Sequence, residues 1–226
     1  MLVFLRQCKM KKVDYLLQQG AKAFWPHLDM VAPLHSAYAK RHGMKYISYR
    51  GPYPPGGGWI REPQSHFDMA WKQYSLMLDL VSDKNAGLVM WVDSDAIIVG
   101  DEDPRPVMDG YLVGMVWYPK NQLHVGHYHR GTFILRACEQ VAGLLKRVMK
   151  EGPGVHPHYD QTLLGNYLAE PQWNGKFKRL PLKWNSAVKH KDPDPCVILA
   201  WHGMGSIQKR LKPMKAEMKR RGLLCK

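Results

Sequence analysis

The chain carries one unbroken apolar run, Leu88-Val89-Met90-Trp91-Val92, introduced by Asn85-Ala86-Gly87, a turn signal. A run that is apolar at every position predicts a strand covered on both faces, as in parallel α/β sheets. It ends at Asp93-Ser94-Asp95, and the chain turns apolar again at Ala96-Ile97-Ile98. Around it, helical and extended periods alternate. Residues 28–42 repeat at helical spacing, with Pro33 expected in the first turn or at a kink. Gly43 then stops the helix and 45–49 reads as a strand, a βαβ-type unit. The clearest helix is 68–81, where Trp71, Tyr74, Leu78 and Val81 share a face. Residues 111–117 and 197–201 predict strands, 126–136 a turn feeding a strand, and 138–150, 159–168 and 213–221 predict helices.

The N-terminal region admits two readings. In one, Leu2–Leu5 is the first strand and 11–20 is a short helix with apolar positions 13, 16 and 17, closed by Gly20. In the other, Val13–Leu17 is the first strand. Residues 51–58 form a loop by composition, as a lid or a surface excursion, and 99–106 and 152–154 are further loops. The alternation predicts a single α/β domain over 1–226, with a mixed, mostly parallel sheet flanked by helices.

At 226 residues the chain suits one large domain with a full core. No stretch approaches the length of a membrane span, and the first six residues are too short for a signal-peptide core. A cytoplasmic location is the expectation, with a membrane-peripheral protein or a luminal catalytic fragment as alternatives. Cys8, Cys138, Cys196 and Cys225 lie far apart and form neither a zinc pattern nor a disulfide framework. His124, His127 and His129 cluster in sequence, but nothing fixes them on one face as a zinc site requires. The net charge of +14, from 33 basic and 19 acidic residues, calls for an anionic partner. Nucleic acid, an anionic membrane and a pyrophosphate substrate all qualify.

The strand end narrows the choice. In open α/β sheets ligands gather at the carboxyl ends of strands, where Asp93 and Asp95 are expected. Carboxylates at this spacing can converge on one hard cation, Mg²⁺ or Mn²⁺, shared with substrate phosphates. The segment Trp91-Val92-Asp93-Ser94-Asp95-Ala96-Ile97-Ile98 resembles the Asp-x-Asp signature of GT-A-fold glycosyltransferases, in particular the retaining galactosyl- and xylosyltransferase-type families. Further segments follow in the same order. Gly126–Arg136 resembles the family's Asn-x-Gly strand, with His129 standing where Asn is common and Gly131 matching the Gly. Asp160-Gln161 resembles an Asp-Gln pair near the acceptor, and Leu180–Asn185 a Leu-Pro-x-x-Trp-Asn segment. His202-Gly203-Met204-Gly205, followed by Lys209 and Arg210, resembles a His-x-x-Gly-x-x-Lys element with its lysine displaced by one position.

The resemblance implies a GT-A (Rossmann-like) domain with a nucleotide-binding half at 1–100, an acceptor-binding half at 101–208 and a basic tail at 209–226. It implies transfer of a hexose or pentose from a nucleotide-diphosphate sugar, of the UDP type, to a glycan or other hydroxyl acceptor. Asp93, Asp95 and His202 would hold Mn²⁺ or Mg²⁺, and Asp93 could instead meet the ribose. Gly131, Gly205, and Lys209 or Arg210 would line the donor. Lys72 would face the nucleotide or be a solvated helix lysine. His129 and Asn185 would shape the sugar pocket, unless Asn185 only satisfies a turn. Asp160 would act near the reacting centre or simply favour its helix N-terminus. An inverting enzyme would use Asp160 as base; a retaining one would not. The basic tail could touch an anionic membrane, and no specific nucleic acid is expected, because its basic residues are not interleaved with aromatics. Two rivals remain: a non-enzymatic basic module for nucleic acid or an anionic surface, and a metal-dependent nucleotidyltransferase.

Overall fold

Every residue of strand β3 (Ala86–Val92) is buried, so a packed layer must cover each of its faces. The structure, a computed structural model, describes residues 12–20, 22–50, 66–118, 127–151, 159–188, 195–202, 204 and 206–223. Strands β1 (Val13–Gln19), β2 (Met44–Tyr49), β5 (Val113–Tyr118), β6 (His127–Arg136) and β7 (Phe177–Leu180) join β3 in a sheet of order β2-β1-β3-β6-β5-β7. β1 runs parallel to β2 and β3, β5 runs parallel to β7, and β6 is antiparallel to both β3 and β5. The sheet is therefore mixed and mostly parallel, and β1, β2, β3, β5 and β7 all end at one edge.

The period-two geometry of β3 sorts its side chains between two cores. Val89 and Trp91 pack with Tyr74 and Met77 of α2 (His66–Val81), Val141 and Leu145 of α4 (Glu139–Glu151) and Leu164 of α5 (Tyr159–Leu168). Leu88, Met90 and Val92 face Tyr38 and Ala39 of α1 (Trp25–Arg41), together with a second sheet. That sheet is small: β4 (Ala96–Ile98), β9 (Ile198–Ala200) and β8 (Ser186–Ala187), with β4 antiparallel and β8 parallel to β9. Helix α6 (Ile207–Arg220) seats Met214 and Met218 on Val31, Ile97 and Trp201.

The opposite edge of the sheet is tied by charge. Asp14 accepts the Leu88 N–H at 2.6 Å and pairs with Arg105 Nε at 2.8 Å. Arg105 belongs to the short helix α3 (Pro104–Val107) and also donates to the His42 carbonyl at the end of α1. Gly43, expected as a helix stop, has φ +63°, a left-handed conformation that glycine adopts without penalty.

The strand reading of the N-terminal region is the observed one: 13–19 is β1 and not part of a helix. Gln18 and Gln19, which favour a helix by propensity, are buried between neighbouring strands, and tertiary pairing overrides the local preference. The alternative strand at Leu2–Leu5 and the loop at 51–58 lie outside the described residues. Pro33 falls in the middle of α1 and not in its first turn, which Pro26 occupies. Both Pro33 and Asp29, whose carbonyl loses its helical partner, are exposed, so water can satisfy that group. Helix α6 starts at 207, six residues before the expected start, and continues through Pro213.

His35 of α1 is fully buried, and burial pushes its imidazole from the usual 6.5 down to about 3. Its Nε2 accepts the Ile98 N–H at 3.0 Å, which ties α1 to β4 through the neutral ring. Since the unfolded chain binds this proton below about pH 6.5 and the native chain does not, stability falls as pH drops from 6.5 towards 3. The expected loss from this residue at pH 5 is about 2 kcal/mol. His35→Gln keeps an acceptor for Ile98. Urea unfolding at pH 7 and pH 5 should show a flatter dependence in the variant; identical slopes would remove His35 as the source.

Candidate functional site

At the carboxyl edge of the large sheet, β3 breaks at Asp93. Its N–H donates to the Gly131 carbonyl at 2.9 Å, so the last rung between β3 and β6 holds it in place. Its carbonyl accepts from Gln18 Nε2 at 3.1 Å and from the Ala96 N–H at 3.1 Å, closing the turn over Ser94 and Asp95. Trp91 Nε1 donates to Asp93 Oδ1 at 2.9 Å, which aims the carboxylate. Gln18 is itself held by the Tyr46 hydroxyl, which donates to its Oε1 at 2.8 Å. Burial raises the pKa of that hydroxyl, so it stays a donor.

The turn delivers Asp95 to the small sheet. Its carbonyl accepts the Trp201 N–H at 2.9 Å, placing His202 one residue beyond. Asp95 is 4% exposed, and its Oδ2 forms an ion pair with Arg210 in the first turn of α6. A carboxylate removed from water needs such a counter-charge.

His202 stacks on His129, with ring centroids 4.0 Å apart and 26° between planes, and both rings make T-shaped contacts with Tyr118. Nδ1 of His129 accepts the Gly131 N–H at 3.0 Å, which places the ring proton on Nε2. The same Nδ1 lies 2.9 Å from Asn185 Nδ2. Asn185 is fully buried at the lead-in to β8, and its carbonyl accepts the Tyr118 hydroxyl proton. Separate stretches of sequence thus meet at one rim: the ends of β1, β3 and β5, the start of β6, the lead-in to β8, the segment between β9 and α6, and the first turn of α6.

Most of the expected residues belong to this cluster. Asp93, Gly131, His129, Asn185 and His202 are linked by direct contacts, and the turn after Asp93 and the Trp201 backbone bond bring in Asp95 with its partner Arg210. Gly131 makes the close approach expected of it: a Cβ there would lie 2.9 Å from His129 Nδ1 and 3.0 Å from both Nδ2 and Oδ1 of Asn185. Lys209 is exposed on α6 beside Arg210. Lys72 stands on α2 with its ammonium 4.9 Å from the centre of the Tyr49 ring at the end of β2. Asp160 opens α5, but its side chain lies outside the described residues, as does Gly205. Among the described residues no three His, Cys, Asp or Glu side chains are gathered tightly enough to hold a metal ion as they stand. Sequence reasoning missed Gln18, Tyr46 and Tyr118. Gln18 gave no signal because its segment admitted a helix, and Tyr118 because a tyrosine ending a strand is unremarkable.

A layered α/β sheet with carboxylates where its central strand ends puts polar groups at the edge where open α/β sheets bind ligands. Comparison with known proteins sharpens this to a GT-A-type glycosyltransferase fold. The chain superposes with a TM-score of 0.71 on a glycosyltransferase involved in the glycosylation of the major capsid of PBCV-1, at 14% identity, covering 90% of this chain and 99% of that one. It matches the galactosyltransferase LgtC, solved with donor and acceptor sugar analogs, with a TM-score of 0.50 and 10% identity, over 92% of this chain and 100% of the other. No protein-family model and no curated sequence matches the chain.

Gly131→Ala must push His129 or Asn185 out of place. The expected cost is about 1–3 kcal/mol in urea unfolding. Gly143→Ala is the control: it lies in exposed helix with nothing within 4 Å of the added carbon, and should be neutral or stabilising by up to about 1 kcal/mol. Equal effects of the two changes would refute the close contact at Gly131.

Proposed function

We propose that this chain transfers a hexose or pentose from a nucleotide-diphosphate sugar, of the UDP type, to a hydroxyl of a glycan or similar acceptor. The observation that carries the reading is the Asp93-Ser94-Asp95 turn at the end of β3, brought beside His202 and Arg210 within a glycosyltransferase fold. Breaking the bond between the anomeric carbon and the β-phosphate oxygen leaves negative charge on the pyrophosphate. Catalysis therefore requires positive charge preorganised where that charge develops.

Two sources stand at the rim. Arg210 and Lys209 begin α6 and can meet the diphosphate. Two carboxylates and an imidazole, from Asp93, Asp95 and His202, have the donor chemistry of a Mn²⁺ or Mg²⁺ site once the three side chains draw together and Arg210 moves off Asp95. A bound divalent ion would supply Lewis-acid neutralisation of the leaving diphosphate. Gln18 and the Gly131 carbonyl fix the backbone of Asp93, and His129 supports His202 by stacking. Asn185 holds His129, so the sugar pocket is supported from below. Asp160, at the start of α5, is the candidate group on the acceptor side. The outward-facing Lys212, Lys215 and Lys219 of α6 suit an anionic surface as an additional partner. No helix among the described residues is long and apolar enough to cross a membrane.

The test is thermal unfolding with UDP, GDP, CDP and TDP, each with and without Mn²⁺. A ligand at about 100 times its dissociation constant adds roughly 2.7 kcal/mol, which moves Tm by about 5–10 °C in a domain of this size. A shift with one nucleotide that requires the metal is expected, and Asp95→Asn should abolish both the shift and sugar transfer. His202→Ala should demand more Mn²⁺ for the same shift. If no nucleotide shifts Tm while the chain binds DNA, RNA or anionic vesicles tightly, the basic-module reading replaces this one.

A further inference from the structure

The most deeply placed ion pair at the rim joins the strand end to the last described helix. In the Asp95–Arg210 pair the carboxylate side chain is 6% exposed and the guanidinium 18%. Arg210 lies in the first turn of α6, where the helix dipole disfavours positive charge and where no acidic residue offsets it. Its position is accounted for by Asp95. The helix is rooted independently: Met214 and Met218 are buried against Ile97 and Trp201, which flank Asp95 and His202. The guanidinium is thus delivered to the carboxylate by a packed element and does not arrive as a wandering surface side chain.

We propose that Arg210 is the resident cation of this site, occupying Asp95 in the unliganded chain and competing with a divalent metal for it. The inference rests on the metal reading given above. The ion pair engages Asp95 through Oδ2, and a metal ion on the same carboxylate would sit close enough to the guanidinium for the two positive charges to repel. Metal entry is therefore opposed by Arg210, which finds a new anionic partner when a diphosphate arrives. Metal alone binds weakly, and the strand end stays neutralised and folded without it. By reciprocity, anything that draws Arg210 away from Asp95 strengthens the metal.

The measurement is Mn²⁺ binding without nucleotide, followed by loss of the free-ion electron paramagnetic resonance signal. Arg210→Gln should bind Mn²⁺ roughly tenfold or more tightly than the wild type. Arg210→Lys, which keeps a charge, should fall between them. Lys212→Gln removes the same unit of charge two residues along, from an exposed position on another side of the helix, and should change nothing beyond about twofold. Without metal, Arg210→Gln should also melt earlier than the wild type, and Mn²⁺ should restore it. If the variant needs Mn²⁺ to fold at all, that dependence is itself the expected result. Unchanged or weaker Mn²⁺ binding by Arg210→Gln overturns the proposal, as does an equal gain from Lys212→Gln. If neither chain binds Mn²⁺ while a nucleotide still raises Tm, the resident-cation role and the metal fall together and the donor site survives.

Discussion

Burial of β3 on both faces is the constraint from which the rest of the molecule follows. A strand with seven consecutive buried residues can carry no charge along its length. Its first carboxylate can appear only where both covering layers stop. That place is Asp93, and the turn after it sends the chain across to a second sheet. The position of the polar rim is therefore set by where apolar cover runs out, and not by any attraction among the polar groups themselves. Val89 and Trp91 lock one layer while Leu88, Met90 and Val92 lock the other, so a slip of one residue would turn each set to the wrong core.

The small sheet converts this fixed end into a site. Its strands have only two or three residues each, too few to be stable alone. They are supported from both sides, by the second core and by the seat of α6. In return they align Asp95, Asn185 and the Trp201-His202 step, which are distant in sequence. The rim is held by backbone ladders and buried side chains, with Gln18, Tyr46 and Tyr118 as props.

Much of this was legible in the chain itself. The apolar run with its two aspartates located the centre of the sheet and the rim, because complete apolarity over five residues has few structural explanations. The helix at 159–168 was readable to the residue, and those at 68–81 and 138–150 to within about two, because their apolar faces keep a regular period. The small sheet was not legible as a sheet: two- and three-residue strands carry no period, and β4 pairs with β9 about a hundred positions away. β1 was ambiguous because Gln18 and Gln19 are buried for reasons that lie in neighbouring strands. His202 and Asp95 could be proposed from their motifs. That Asp95 meets Arg210, and that His129 stacks on His202, depends on how α6 and β9 dock, which no local pattern encodes.

The pairing of β4 with β9 also bears on synthesis. All six strands of the large sheet have been made by residue 180, and its layers α1, α2, α4 and α5 by residue 168. β4, made early, waits beside them until residues 198–200 leave the ribosome, and Ile97 waits for Met214 and Met218. A nascent chain can therefore reach a nearly complete core while the rim is unfinished. The residues that would do chemistry are assembled last, by the final described stretch of chain to emerge, so a polypeptide stalled or clipped near residue 195 would hold the scaffold without the site.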